Sequence, residues 1–189
     1  MTFYVRKIAK NKWAQCINLP LDAYNSDAIT GCTRTNQKKL SVWRTNSTNI
    51  NEEHNINILL ALATTMDSPG KIEVMLIPED RVEGVLPLTH KPAETIISEI
   101  NEFHSDISEL DYRGLGIISS IIVDILNDNN NKKNDYLHGL TLIEVLSLLY
   151  RRFGEEYKNV GLSERVAKEI EKKRDAIIKY IKLQDANEV

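Results

Sequence analysis

Two arginines bracket the densest polar stretch of the chain, Arg34-Thr35-Asn36 through Leu40-Ser41-Val42-Trp43-Arg44. A guanidinium grips a carboxylate or phosphate through parallel N–H groups, so Arg34 and Arg44 are candidates for clamping an anionic ligand. In an extended strand Ser41 and Trp43 share one face, and Leu40 and Val42 share the other. A small enzyme acting on a nucleotide or nucleic acid through Arg34, Ser41 and Arg44 would also need a catalytic glutamate. None stands in a recognisable place. The competing assignment is structural: Trp43 packs, and the arginine stems cover it.

Other chemistry-bearing clusters are weaker. Glu102-Phe103-His104-Ser105-Asp106 has the residue types of a metal site. On a helix, however, His104 points about 200° away from Glu102, so the three cannot converge on one ion. Glu99, Glu102, Asp106 and Glu109 would instead form an acidic stripe, either a solvated face or a contact surface for a basic partner. Asp67 and Glu73 beside a strand suggest a metal-dependent nuclease, but Met75 occupies the place of the usual lysine. Cys16 and Cys32 lack Cys-x-x-Cys spacing and nearby histidines, which argues against a disulfide framework or zinc site. No phosphate-cradling Gly-rich loop, nucleophile elbow or His-Glu-x-x-His is present. The reading therefore assigns no catalytic residue, metal ligand or cofactor.

The elements that must position these residues follow from periodicity. Residues 3–8, 39–44 and 71–77 read as strands, rich in aromatic and β-branched side chains. Ser26 or Asp27 caps a short helix, and residues 51–66 form a longer one with Ile56, Leu59, Leu60 and Ala63 on one face. Residues 87–92 read as a linker. Beyond them the pattern is helical throughout. Ile96, Ile100, Phe103, Ile107 and Leu110 recur as a narrow helix-packing seam. Residues 112–127 form another helix, and residues 128–135 a polar loop. Thr141 and Glu144 make a capping box for a helix that ends at Gly154. Ser163 caps a last helix reaching about residue 183. The expected fold is α+β: an N-terminal α/β domain of about three strands and one long helix over residues 1–86, then an all-helical domain over residues 92–189. Its last two helices could form a winged-helix-like unit with Arg151, Arg152, Lys168, Lys172, Lys173 and Arg174 as a basic face.

Composition agrees with a soluble domain: 42 % hydrophobic and 27 % charged residues in 189. Charge is segregated. Residues 1–50 hold 8 Lys+Arg against 2 Asp+Glu, residues 51–135 hold 6 against 16, and residues 136–189 hold 10 against 9, giving the net −3. The acidic middle disfavours direct contact with nucleic acid and favours basic partners. The basic start MTFYVRKIAKNKW is followed by no apolar h-region, and no run is long enough to span a bilayer, so a cytoplasmic location is expected.

Three stretches carry a resemblance: Tyr4 to Ile8 with Trp13; Ser26 to Thr30 through Arg34-Thr35 to Leu40-Ser41-Val42-Trp43; and His104-Ser105-Asp106 to Leu110-Asp111-Tyr112. Together, over about half the chain, they resemble the middle components encoded beside an SMC-like ABC ATPase and a nuclease-type effector in Lamassu-type bacterial defence systems. The resemblance implies a non-catalytic accessory subunit that docks on the ATPase, holds the effector silent, and meets phage or plasmid DNA indirectly through the complex, away from any membrane. Candidate partner-contact residues are then Arg34, Trp43, Arg44, Glu99, Glu102, Asp106, Glu109, Arg151 and Arg152. A DNA-binding regulator using the final helices is the remaining alternative.

Overall fold

Antiparallel pairing organises the chain from its first strand onward. The computed structural model describes residues 1–33, 37–130 and 135–187. Six strands, β1 (Phe3–Lys7), β2 (Leu40–Thr45), β3 (Ile72–Pro78), β4 (Leu88–His90), β5 (His104–Ile107) and β6 (Leu137–Leu140), form one sheet in the order β4-β5-β2-β1-β3-β6. Every neighbouring pair is antiparallel. The helices are α1 (Lys10–Trp13), α2 (Ser26–Thr33), α3 (Glu53–Thr64), α4 (Tyr112–Asn130), α5 (Leu142–Phe153) and α6 (Glu164–Asn187).

Side-chain alternation divides each strand between two cores. Phe3, Val5, Trp43, Val74 and Leu76 point into a core shared with α3, α5 and α6. Tyr4, Leu40, Val42, Met75 and Ile77 point the other way, against Trp13, α2 and α4. The sheet is thus covered on both faces. That explains why β3, after Glu73, runs apolar without a break from Val74 to Pro78 rather than alternating. The protein is a mixed α and β fold with the sheet as its middle layer.

The local signals at α5 hold. Thr141 Oγ1 accepts the Glu144 backbone N–H, and Glu144 Oε2 accepts the Thr141 N–H at 2.7 Å, which closes a capping box. Gly154, at φ 54°, ends the helix. Ser163 Oγ likewise accepts the Val166 N–H at 3.3 Å at the start of α6. The helix ending in residue 130 extends α4 into the expected polar loop, of which residues 131–134 lie outside the described residues.

Between residues 87 and 110 the outcome differs from expectation. The expected linker contains β4, and the expected helical seam is a 3-10 helix (Ser98–Phe103) followed by β5. Ile107 recurs at helical spacing, yet it sits opposite Leu40 in β2 and Leu88 in β4, buried in the α4-side core. The outer edge of β2 offers unpaired backbone groups, and satisfying them outweighs a short helix whose seam would have no partner. β6 likewise arises within the segment expected to be all helical, paired with β3. Strands from both sides of the expected boundary at residues 86–92 therefore share one sheet. No helix among the described residues is long and apolar enough to cross a membrane.

Candidate functional site

Among the described residues, the polar side chains singled out in the sequence do not assemble into one reactive centre. Arg34, with Thr35 and Asn36, lies outside the described residues. Ser41 and Arg44 are three positions apart on β2 and face opposite sides of the sheet, so they cannot hold one ligand together. Ser41 Oγ donates to Asp106 Oδ1 at 3.2 Å, and Arg44 Nη2 lies 3.7 Å from Glu79 Oε1. Trp43 is only 5 % exposed and meets the His104 ring edge-on, with centroids 4.9 Å apart. It is core, because the odd residues of β2 face the α3 layer.

The acidic stripe does not form, since its residues leave the helical register. Asp106 is buried on β5, with His104 Nε2 4.0 Å away. Glu99 pairs with Arg152. Glu102 is exposed and lies 3.9 Å from His90 Nε2. Glu109 adopts a left-handed backbone at φ 55°. Arg151 reaches Asp185 Oδ1 at 2.6 Å, so the α5 arginines tie this helix to the end of α6 and to the 98–103 turn. Of the carboxylates proposed for a nuclease, Glu73 is engaged. Glu73 accepts the Lys10 N–H at 3.2 Å and pairs with Lys71 at 2.8 Å. Among the described residues, no group of three or more His, Cys, Asp and Glu side chains is arranged to hold a metal ion. Cys16 and Cys32 are buried free thiols, and Cys32 Sγ accepts the Ala9 N–H at 3.0 Å.

One charged group within the fold escaped the sequence reading. Arg6 donates to the Cys32 carbonyl at 2.8 Å and to the Ser41 carbonyl at 3.0 Å. It thereby ties the end of α2 to β2 across the sheet. Burial brings its guanidinium down to about 10, partly opposed by Cys32. The available signal was an arginine between Tyr4 and Ile8 on an inward-facing strand position.

The feature best suited to binding is a groove that sequence reasoning missed. It is an open cavity of about 1120 Å³ on the α4 side of the sheet. Its walls are the Leu21–Ala23 turn and α2 on one side, the first half of α4 on the other, and the loop from Arg81 to Val85 at one end. Asp111 caps α4 by accepting the Gly114 N–H at 2.9 Å, which sets the helix start and so the mouth of the groove. Gly116 lies where α4 meets the turn: a Cβ there would stand 3.5 Å from Leu21 Cδ2, an ordinary contact.

Apolar side chains dominate the walls, and several are open to water. Leu21 is 46 % exposed, Val85 52 % and Tyr112 94 %. Single exposed apolar residues are ordinary, but three around one concavity form the kind of patch that marks an interaction site. The polar groups are few. Tyr24 is hydrogen-bonded to Ser120 inside the groove, and its phenol is pushed up by burial, then by Asp124 and Cys16. Arg81 spans the end of the groove, 4.0 Å from Asp124 and 3.8 Å from Asp128 on α4, and so holds the loop to the helix. Comparison of the chain with protein-family models, with characterised proteins and with solved structures finds no match.

Proposed function

We propose that this protein is a non-catalytic accessory subunit that works by binding other proteins. The observation that carries the reading is the groove beside α4: a preformed, largely apolar concavity with exposed Leu21, Val85 and Tyr112 on its walls. Exposed apolar surface of this kind costs solubility and is retained where a partner covers it. Of the residues considered for catalysis, Ser41, Arg44 and Glu73 are occupied in contacts with other side chains or backbone. Their arrangement supports a scaffold rather than a reaction centre.

The three stretches described above point to the type of assembly: an SMC-like ABC ATPase complex of bacterial defence, in which this subunit bridges the ATPase and a nuclease-type effector. Contact with phage or plasmid DNA is then indirect. The acidic residues 51–135 suit that role, since they repel the phosphate backbone. The α5 arginines are engaged with Asp185 and Glu99, which leaves them poorly placed to lead direct DNA recognition.

Co-expression with the neighbouring genes tests this. The tagged chain is expected to co-elute with a coiled-coil ATPase and its effector in a complex that survives gel filtration. Elution of the chain alone, as a monomer, while both other proteins are present and soluble would refute it.

A further inference from the structure

Resting on the binding-subunit reading, we infer that the α4 groove receives an amphipathic helix from a partner protein, with its apolar stripe in the groove and lysines or arginines along its flanks. Size is the first reason. At about 1120 Å³ the open groove exceeds the roughly 300–1,000 Å³ of pockets that enclose one small molecule. The α4 wall runs from Tyr112 to Ile121, about 14 Å at the helical rise per residue, or between two and three turns of a docked helix.

Backbone chemistry is the second reason. An extended peptide is normally captured by adding a strand to an open sheet edge. The edges of this sheet are β4 and β6, and neither contributes a residue to the groove. The walls are side chains of helices and turns, which can match apolar anchors but offer no row of free N–H and C=O groups. A helix brings its own backbone hydrogen bonds and needs none from the wall.

Charge is the third reason. Asp22 stands on one wall, Asp80 and Glu83 flank Arg81 in the end loop, and Asp124 and Asp128 continue α4 beyond the groove. Against these five acids stand two bases, Arg81 and Arg113, and Arg81 is already held by Asp124 and Asp128. The lining itself holds Asp22 against Arg81 and Arg113, and the acidic excess lies in the adjoining segments, which steer basic flanks toward the groove and repel acidic ones.

The test uses the full chain and a labelled 18-residue helical peptide of defined composition, with leucines at i, i+4, i+7 and i+11, flanking lysines and alanines elsewhere. Two control peptides replace every lysine by glutamate, or place a proline at the centre. Fluorescence anisotropy is expected to show saturable binding of the lysine peptide, and at least about tenfold weaker binding of both controls, as expected where charge and helical shape both contribute. The Leu21→Asp/Val85→Asp protein should bind the lysine peptide at least about tenfold more weakly, and its circular dichroism should be unchanged because both sites are exposed. Asp22→Lys/Glu83→Lys should invert the preference between lysine and glutamate peptides.

Equal binding of all three peptides, equal binding by the Leu21→Asp/Val85→Asp protein, or no binding of the lysine peptide overturns the inference. So does self-association of the chain that the same double variant abolishes, which would make the occupant a second copy. The two readings fail separately. If the ATPase co-elutes equally with the double variant, the subunit reading stands and the groove assignment falls. If the peptide binds as described and no ATPase co-elutes, the reverse holds.

Discussion

Gly116 gives a sharp test of how α4 meets the groove. It sits in the fifth position of a nineteen-residue helix, without a positive φ, so its backbone is one that alanine adopts freely. Replacing a helix-interior glycine by alanine recovers about 1 kcal/mol, because the unfolded chain loses less freedom on ordering. The new methyl would stand 3.5 Å from Leu21 Cδ2, an ordinary contact with nothing to displace. Gly116→Ala should therefore raise Tm by about 2–4 °C, the shift expected per kcal/mol for a chain of this size. The urea midpoint should rise with the slope unchanged. Gly114, two residues earlier, provides the control. A Cβ there would come within 3.0 Å of Leu110 Cδ2, and Leu110 is buried. Moving a packed leucine typically costs about 1–3 kcal/mol, which cancels or reverses the propensity gain. Gly114→Ala should thus be neutral to destabilising. Thermal and urea unfolding of the two variants side by side decide the matter. A fall in Tm for Gly116→Ala, or equal shifts for both, would refute the packing described for the start of α4 and with it the shape of the groove.

Two further outcomes follow from other parts of the molecule. Thr141→Ala removes the side-chain acceptor of the α5 capping box and should cost about 1 kcal/mol in urea unfolding, whereas Thr141→Ser should restore most of it. Tyr4 is pushed up to about 12 by burial, then by the charge of Glu79 and its hydroxyl's 3.2 Å bond to that carboxylate. A phenol whose folded value lies above its unfolded 10.0 favours the neutral fold, so its contribution is complete below pH 10 and is lost as pH rises toward 12. Alkaline titration of unfolding should show that loss for the wild type and a shallower one for Tyr4→Phe.

Where a structural signal was local, it was legible in the amino-acid order. The Thr141/Glu144 box, the Ser163 cap and the Gly154 stop set the ends of α5 and the start of α6 through bonds between residues a few positions apart. The β-branched and aromatic runs of β1, β2 and β3 announced themselves, as did the apolar face of α3. Even the alternation in β2, with Leu40 and Val42 opposite Trp43, matches the division between the two cores.

Other features depended on what each segment found beside it. The spacing of Ile100, Phe103 and Ile107 fits a helix, but the open edge of β2 recruited residues 104–107 as a strand, and the backbone groups waiting there are invisible to periodicity. Asp106 accordingly moved from an expected exposed stripe to a buried place on β5, in a part-buried bond with Ser41, sixty-five residues away in sequence. The groove is the extreme case. Leu21, Val85 and Tyr112 are unremarkable singly, each in a polar neighbourhood, and only the packing of α2 and the 81–85 loop against α4 turns them into one concavity. Local bonds determine where elements begin and end; surfaces assembled from distant segments exist only once the sheet has paired and both its faces are covered.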